Sequence, residues 1–252
     1  MFICCIPARK GSKGLVNKNI YPLNNKPLIQ YTVEASIQSQ LFDRIVVTTD
    51  DSRIISLVKN LNYYNVTVIN RPKFLSTDTV PLTPVVVHAV KSVEKLYGKV
   101  TDICTLQPTS PLRTSNHIFE AYCRYRVLRG NSLVSVTEEE HNLYKQNKLN
   151  KRYAVPVVYH KVNRQQVNPL YTGNGAISIC SRELLINHNT RIGNKLVLYE
   201  MTKEDSVDIH TVDDIRLAQW YMNRKSYITT YNFYYDCKEG KLKVTTTTTN
   251  GI

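Results

Sequence analysis

The sequence predicts an α/β fold in which a mostly parallel sheet carries helices on both faces. Short apolar runs alternate with amphipathic stretches along most of the chain. The runs are rich in β-branched residues, and the stretches between them repeat apolar residues at three- and four-residue intervals, as strands and surface helices do. Such alternation requires crossover connections, which place helices over both faces of a parallel sheet.

The elements of the first half of the chain follow from these patterns in order. Strands are predicted for FICCIP (2–7), RIVVTT (44–49), VTVIN (66–70), DICTLQ (102–107) and SLVSVT (132–137). The helices between them are predicted at 27–40, 52–61, 84–97 and 115–128.

The pattern loosens after the fifth strand. Residues 140–174 are polar and irregular, with one possible strand at 153–160. Strands resume at 175–180 and 195–200.

A helix is predicted over 211–225, where Thr211 is a suitable N-cap and Asp213 and Asp214 fall in the first turn. We therefore expect one domain over 1–225. Residues 226–252 form a C-terminal extension whose threonine run predicts partial disorder.

Charge and hydropathy narrow the classes of partner. Lys and Arg number 33 against 20 Asp and Glu, a formal net charge of +13. This excess predicts attraction to anions but does not choose between nucleotide, nucleic acid and acidic sugar. The sequence lacks arginine-rich blocks and aromatic–basic interleaving, so we expect no nucleic-acid partner. Its apolar runs are shorter than the ~20 residues that span a bilayer, and MFICCIP is short for a signal peptide. We expect a cytoplasmic protein without a membrane partner.

The cysteines are interpreted as reduced thiols that fill the core. They show no CxxC spacing, so neither a zinc site nor a disulfide framework is predicted. The six positions are Cys4, Cys5, Cys104, Cys123, Cys180 and Cys237.

The segment IPARKGSKGLVNKN (6–19) is the strongest candidate for a binding site. It follows the first predicted strand and crowds Arg9, Lys10, Lys13 and Lys18 together with two glycines. Ligands of open α/β sheets bind beyond the carboxyl ends of strands, and glycines let backbone N–H groups approach them. Neither GxxxxGK[ST] nor GxGxxG is present. The segment therefore predicts a triphosphate-cradling loop of another kind, with a solvated basic loop as the alternative.

This segment and four later ones resemble the motifs of the acylneuraminate cytidylyltransferases, or CMP-sialic acid synthetases. The later segments occur in the family's order and at similar separations: RPKFLSTDT (71–79), LQPTSPLR (106–113), RQQVNPLYTGNGA (164–176) and DSVDIHTVDDI (205–215). The resemblance covers residues 2 to about 222. It implies a Rossmann-like nucleotidyltransferase domain of the nucleotide-diphospho-sugar transferase type, with 140–174 as a small dimerisation excursion.

The resemblance also implies an activity. The family transfers CMP from CTP to the anomeric hydroxyl of a nine-carbon 2-keto sugar acid and releases pyrophosphate, with Mg²⁺ or Mn²⁺ as the metal. We therefore expect CTP and a nonulosonic acid as substrates and a homodimer as the assembly.

Carried over position by position, the resemblance implies roles for individual residues. CTP binding falls to Arg9, Gly11, Ser12, Lys13, Lys18, Arg71 and Asp78. Catalytic roles fall to Lys13, Arg9 and Asp208. The sugar acid would contact Gln107, Arg164, Gln165 and Asn174, and the metal would bind Asp208 and His210. Arg113 is expected to have a structural role at a helix entrance.

Three positions depart from the family's pattern. Thr172 stands where many members have a second arginine, and Ser178 where they have a tyrosine. Both positions shape the sugar pocket, so the acid could be of a legionaminic or pseudaminic type. His210 replaces the second aspartate of the metal motif, which weakens the preference for Mg²⁺ over a softer divalent ion.

Two alternatives are carried forward. One is a cytidylyltransferase for an eight-carbon acid such as Kdo, against which the RQQ and NGA segments argue. The other is a nucleotide-sugar-binding module that has lost turnover, which the three departures motivate.

Overall fold

The computed structural model describes residues 1–12, 14–139, 143–146, 154–157, 169–225, 230–236 and 241–247. In chain order the strands are β1 (Phe2–Pro7), β2 (Pro22–Leu23), β3 (Lys26–Pro27), β4 (Arg44–Thr49), β5 (Val66–Asn70), β6 (Asp102–Thr105), β7 (Ser132–Glu139), β8 (Tyr144–Gln146), β9 (Ala154–Pro156), β10 (Leu170–Ser181), β11 (Leu196–Glu200), β12 (Thr230–Asp236) and β13 (Lys241–Thr247). The α-helices are α1 (Leu28–Gln38), α2 (Ser52–Asn60), α3 (Leu82–Tyr97), α4 (Ser115–Val127), α5 (Arg182–Asn187) and α6 (Val212–Lys225).

The main sheet has seven strands in the order β11-β7-β10-β6-β1-β4-β5. β1 pairs in parallel with β4 and β6, β4 with β5, and β11 with β7. β10 runs antiparallel between β6 and β7. The predicted mostly parallel sheet is confirmed, and the single reversed strand was not predicted.

Alternation along β1 separates two hydrophobic cores. Cys4 and Ile6 pack with residues of α1, α2 and α4, whereas Ile3 and Cys5 pack with residues of α3 and α5. Successive side chains of a strand point to opposite faces, so a strand buried on both sides reads as a continuous apolar run. The predicted placement of helices on both faces is confirmed.

The cysteines of the sheet fill these cores as predicted. Cys4, Cys5, Cys104 and Cys180 are buried free thiols, and Cys123 is a partly exposed one. Burial raises the pKa of Cys5 to about 12 because the thiolate loses its solvation. Cys237 lies outside the described residues.

Most predicted helix and strand bounds agree with the structure to within two residues, and the larger differences lie in β10 and the C-terminal extension. α3 begins at Leu82, because Pro84 falls in its first turn, where a missing N–H breaks no helical bond. β10 begins at Leu170, earlier than the predicted strand at 175–180, because Asn174–Gly175 forms a bulge within a longer strand. In the C-terminal extension, where partial disorder was predicted, β12 and β13 form an antiparallel pair.

A third, smaller apolar cluster lies under the carboxyl ends of the strands. It joins Leu15 of the basic segment to Leu112, Ile209 and Ile215. These residues come from three distant parts of the sequence. The cluster therefore holds the basic segment, the LQPTSPLR segment and the start of α6 together.

Candidate active site

A cleft with a cavity volume of about 220 Å³ opens beyond the carboxyl ends of β1, β5 and β6. Seven residues that the resemblance singled out line it: Arg9, Gly11, Ser12, Lys18, Arg71, Asp78 and Gln107. Asn174, Asp208 and His210 lie outside this lining. Lys13, Arg164 and Gln165 lie outside the described residues, so their assignments stay predictions.

The basic loop (residues 9–19) is held by hydrogen bonds to its backbone and to its asparagines. Asp50 Oδ1 accepts from the Lys10 amide at 2.7 Å. Arg53 Nη2 donates to Asn17 Oδ1 at 2.9 Å. Asn19 Nδ2 donates to the Arg9 carbonyl at 3.0 Å. These bonds shape the loop, and Lys10 takes part in them through its backbone amide.

Arg9 forms an ion pair with Asp78 across the cleft. The two side chains are about one-third exposed, at 34% and 36%. An arginine paired with a single carboxylate keeps further N–H donors, so Arg9 can also bind phosphate oxygens. The pair thus joins two residues of the cleft lining.

Lys18 connects the basic loop to the segment that carries Asp208. Its Nζ donates to the Ile209 carbonyl at 2.9 Å. Burial lowers the pKa of Lys18, and the nearby Asp208 carboxylate opposes this effect. Gly14 also packs against this segment, since a Cβ there would lie 2.5 Å from the His210 carbonyl oxygen. Only glycine permits so close an approach.

Asp208 and His210 form a hydrogen-bonded pair beside this contact. His210 Nε2 lies 2.8 Å from Asp208 Oδ2. Asp208 Oδ1 is buried and has no hydrogen-bond partner within the part of the chain that the structure describes. Asp214 Oδ2 accepts from the amides of His210 and Thr211, which fixes the turn that carries the pair.

The donors at this site fit a divalent cation in part. An unpaired carboxylate oxygen such as Asp208 Oδ1 is a suitable ligand for a hard ion. Among the described residues there is no group of three or more His, Cys, Asp or Glu that could hold a metal. A metal bound at Asp208 would therefore take most of its ligands from substrate phosphates and water.

Arg71 forms the inner end of the cleft. Its side chain is buried, and Nη2 donates to the Thr48 carbonyl at 2.6 Å. Burial lowers the pKa of the guanidinium. A donor held this rigidly suits the recognition of a ring with fixed hydrogen-bond acceptors.

The other side of the cleft is formed by Gln107, which contacts the bulge of β10. Gln107 Nε2 donates to the Gly175 carbonyl at 3.2 Å. Gly175 has a positive φ of 73°, and a Cβ there would lie 2.9 Å from Gln107 Nε2. The positive φ favours glycine here, whereas the end of the Gln107 side chain could shift away from a Cβ.

Asn174 was predicted to face the sugar, and the structure shows what its side chain contacts. Oδ1 accepts from the Ser135 hydroxyl and from the Ala176 amide, and Nδ2 donates to Ser206 Oγ at 2.8 Å. The asparagine thereby ties the bulge to β7 and to the turn before Asp208. The departures Thr172 and Ser178 lie on β10 on either side of this bulge.

The sequence interpretation missed several residues of the cleft. Asn19, Thr77 and Thr109 contribute polar groups to its lining. Leu75, Val80, Leu82 and Val85 form an apolar wall. Asn19 had a visible signal, since it belongs to the basic segment. The apolar residues had none, because they share the pattern of core residues.

The helices give one further negative result. Within the described ranges, none is both long enough and apolar enough to cross a membrane.

A layered α/β fold with a cationic cleft at the carboxyl ends of its strands defines a class of nucleotide-binding proteins. The sequence model of the cytidylyltransferase family matches residues 3–214. The chain belongs to the cytidylyltransferase family.

Individual relatives are similar over most of this chain. It is 34% identical over 228 residues to an N-acylneuraminate cytidylyltransferase from Escherichia coli. The alignment covers 89% of this chain and 52% of the relative. The chain is 30% identical over 240 residues to a CMP-N,N'-diacetyllegionaminic acid synthase from Legionella pneumophila, covering 87% and 95%. A pseudaminic acid cytidylyltransferase from Campylobacter jejuni is 27% identical over 220 residues, covering 86% and 94%.

The chain spans about half the length of the N-acylneuraminate cytidylyltransferases that it matches from E. coli and Streptococcus agalactiae, 52% and 51% respectively. It spans nearly the whole of the legionaminic and pseudaminic relatives.

Solved structures confirm the predicted nucleotidyltransferase fold. CMP:2-keto-3-deoxy-manno-octonic acid synthetase complexed with CTP aligns with a TM-score of 0.66 at 16% identity, covering 89% of this chain and 99% of the other. A 4-diphosphocytidyl-2C-methyl-D-erythritol synthase from Anaerococcus prevotii aligns with a TM-score of 0.62 at 13% identity, covering 88% and 99%.

Proposed function

We propose that this protein transfers CMP from CTP to the anomeric hydroxyl of a nine-carbon 2-keto sugar acid and releases pyrophosphate. One observation carries the proposal: Arg9, Ser12 and Lys18 share a single cleft with Arg71 and Gln107. The proposal assigns the cations to a triphosphate, the buried guanidinium to a base and the Gln107 amide to the sugar acid. The named activities of the relatives support the same reaction.

In this proposal the chain acts mainly by positioning and by charge. The sugar hydroxyl attacks the α-phosphorus in line with the departing pyrophosphate, so the developing charge lies on phosphate oxygens. Arg9 and Lys18 lie where they can neutralise that charge, and Lys13 is assigned with them from its motif. Gly11 and Ser12 offer backbone and hydroxyl groups to the same oxygens, and Arg71 and Asp78 frame the cytosine and ribose.

The sugar acid is assigned to the side of the cleft formed by Gln107. Arg164 and Gln165 would complete this subsite, with arginine suited to bind both oxygens of a carboxylate. Asn174 is part of the same proposal, either as a contact or through the bulge that it holds. Thr172 and Ser178 in place of arginine and tyrosine favour an acid of the legionaminic or pseudaminic type.

We further propose a divalent cation at Asp208, with Mg²⁺ and Mn²⁺ as the candidates. When bound, the ion would supply positive charge to the phosphates. Asp208 Oδ1 is the oxygen available for it, and Lys18 holds the neighbouring backbone through Ile209. His210 is either a second ligand or the group that orients Asp208 through the 2.8 Å hydrogen bond.

A homodimer is proposed because the excursion exposes apolar side chains. β8 and β9 pair with each other and form a sheet separate from the main one. Tyr144 within β8 is 65% exposed, and Leu143 and Val157 next to the pair are 38% and 49% exposed. A second copy of the chain would cover them, and clustered apolar and aromatic surface of this kind is typical of interfaces.

A cytoplasmic location is proposed from the thiols. The described cysteines are free, as expected in a reducing compartment.

The activity is tested by pyrophosphate release from CTP. The full chain is incubated with N-acetylneuraminic, legionaminic and pseudaminic acids and with Kdo, each with Mg²⁺ and with Mn²⁺. We expect release with a nine-carbon acid and none with Kdo. Release with Kdo alone would replace the proposed substrate with the eight-carbon acid. CTP binding without release from any acid would favour the module that has lost turnover.

The metal is tested with His210→Asp, which restores the family's pattern. If His210 ligates the ion, the ratio of Mg²⁺- to Mn²⁺-supported rates should rise severalfold in the variant. His210→Gln is the matched control, because it keeps a polar side chain but no carboxylate. An unchanged ratio in both variants would contradict metal ligation by His210, and its role would then be to orient Asp208.

The oligomeric state is tested by light scattering on the protein as it elutes from a size-exclusion column. The wild type should have the mass of a dimer, and Tyr144→Lys should shift the population toward monomer. Tyr64→Lys is the control, since Tyr64 is 92% exposed and remote from the excursion. A monomeric wild type would contradict the proposed assembly.

A further inference from the structure

Arg113 is a buried cation whose hydrogen-bond acceptors are neutral oxygens. Its side chain is among the largest that are fully buried, with 2% of the residue exposed. Burial lowers its pKa to about 10, so the guanidinium keeps its charge at neutral pH. A buried charge is unfavourable unless well-placed partners compensate for its lost solvation. Its partners therefore indicate what the residue is for.

The guanidinium joins three separate parts of the chain. Nη1 donates to the carbonyls of Gln107 and Ala176, both at 3.2 Å. Nη2 donates to Thr32 Oγ1 on α1 at 2.7 Å. The Thr32 hydroxyl also lies 3.5 Å from the Gln107 carbonyl, so arginine, threonine and that carbonyl form a closed set of contacts.

Two of these parts form the side of the cleft assigned to the sugar acid. Gln107 lines the cleft, and its side chain contacts Gly175 in the β10 bulge. Arg113 holds the backbone at both ends of that contact, through Gln107 and through Ala176 next to Gly175. Beyond the end of the β6–β10 pairing, the guanidinium therefore helps to fix the separation of the two segments.

We propose that Arg113 is a positioning residue that holds Gln107 and the β10 bulge in register and thereby sets the affinity for the sugar acid without touching it. This inference rests on the proposed function, since it concerns the sugar-acid side of the same cleft. It predicts that the contribution of Gln107 to binding depends on Arg113. The contribution of the basic loop, on the opposite side of the cleft, should not depend on Arg113.

Arg113→Lys is the informative substitution. Lysine keeps the charge, but its single ammonium cannot reproduce the planar fork that reaches three acceptors. We expect the KM for the sugar acid to rise about tenfold or more, because small displacements of a binding group are costly. The KM for CTP should stay within about twofold.

A double-mutant cycle with Gln107→Ala tests whether Arg113 acts through Gln107. Residues that act as a unit give non-additive effects. In the Gln107→Ala background, Arg113→Lys should change the sugar-acid KM by less than about threefold. Additive effects on that KM would overturn the proposal.

Tyr125→Phe is the control for a merely structural role. It removes the 2.8 Å hydrogen bond from Tyr125 to Asp102 Oδ1, away from the cleft. We expect a lower melting temperature with both KM values unchanged. If Arg113→Lys likewise lowered only the melting temperature, Arg113 would have no positioning role.

Thr32→Val keeps the test available if Arg113→Lys does not fold. It leaves Arg113 in place and removes one acceptor, so a smaller rise in the sugar-acid KM is expected. Thr32→Ser retains the hydroxyl and should restore the wild-type KM. No rise in Thr32→Val would overturn the proposal.

Amide hydrogen exchange separates this inference from the proposed function. In Arg113→Lys, exchange should accelerate in residues 106–110 and 174–177 but not in the basic loop. If the wild type released no pyrophosphate with any acid, the proposed function would fail, and the exchange pattern would still decide the positioning role. Identical exchange rates in the variant and the wild type would refute the positioning role.

Discussion

The basic loop and the side of the cleft around Gln107 differ in how they are held. The loop carries charges, and the bonds that shape it run through exposed or half-exposed groups such as Lys10 N–H and Asn17. Around Gln107 the contacts converge on Arg113 and Ser135, which are 2% and 1% exposed. One side is a charged surface loop, and the other is part of the core.

This difference suggests a division of labour. A triphosphate is flexible and highly charged, so it is bound mainly through charge, which the cations of the loop can supply. A sugar acid is distinguished by the arrangement of its hydroxyls, which requires groups held at fixed separations. Substitutions in the loop should therefore affect CTP, and substitutions around Gln107 should affect the acid.

Lys13→Ala should have the largest effect. Removing a charge that stabilises developing negative charge on phosphate lowers kcat by about 10²- to 10³-fold or more. Steady-state pyrophosphate release measures the loss, and circular dichroism checks that the fold is intact. Lys10→Ala is the matched control in the same loop and should be nearly silent. Wild-type rates in Lys13→Ala would remove the phosphate-loop assignment.

Gly14→Ala should follow. The added Cβ would lie 2.5 Å from the His210 carbonyl, so the loop must move away from Asp208. A shift of this size can reduce turnover about 10²-fold. Gly173→Ala is the control, because a Cβ there meets nothing within 4 Å. Equal kcat values in the two variants would show that the loop and the Asp208 segment do not act together.

Asp51→Ala should have a moderate effect on both stability and CTP binding. Asp51 caps α2 by accepting from the Arg53 amide at 3.0 Å and also pairs with the Arg53 side chain, which holds Asn17. Loss of a cap destabilises a protein by about 0.5–2 kcal/mol, measurable by urea unfolding. The KM for CTP should rise a fewfold.

Ser181→Ala is the control for that substitution. It removes the cap of α5, where Ser181 Oγ accepts from the Leu184 amide at 3.2 Å, far from the basic loop. It should lower stability without changing the KM for CTP. If both variants left this KM unchanged, Arg53 would not support the loop.

Glu94→Gln should have the smallest effect, confined to stability and its pH dependence. Arg182 donates to Glu94 at 2.6 and 3.1 Å, and this bonding holds the pKa of the carboxyl below its usual range. A carboxyl with a depressed folded-state pKa stabilises the fold above the unfolded-state pKa of about 4.3 and loses that contribution as pH falls through the folded value. The difference in unfolding free energy between wild type and variant should therefore shrink below that pH.

Urea unfolding between pH 3 and pH 7 measures this difference, and kcat should be unchanged throughout. A stability difference that grew toward low pH would contradict the assigned pair.

The fold was largely predictable because its elements carry local signals. β1 reads as a strand from six residues, and α4 reads as a helix from its periodicity. The reversed direction of β10 left no local signal, since a strand has the same pattern in either direction. The bulge at Asn174–Gly175 had no distinguishing signal either, because the same dipeptide is common in ordinary turns.

The site was predictable where chemistry is concentrated in short segments. Arg9 and Lys18 could be selected from the basic segment by their charge, and Ser12 and Asp208 from the resemblance of their motifs to those of the family. The contact between Gly14 and the His210 carbonyl could not, because 196 positions separate the two residues and only packing brings them together. The bond from Lys18 to Ile209 has the same origin.

The sequence by itself determined the alternation of strands and helices and the cationic character of the loop after the first strand. These properties depend on local periodicity and on charge, which are read directly from residue types. The tertiary structure alone decided that Arg113 is buried under Gln107 and the β10 bulge. Burial of a charge depends on acceptors from α1, β10 and the loop after β6, which no local stretch of sequence contains.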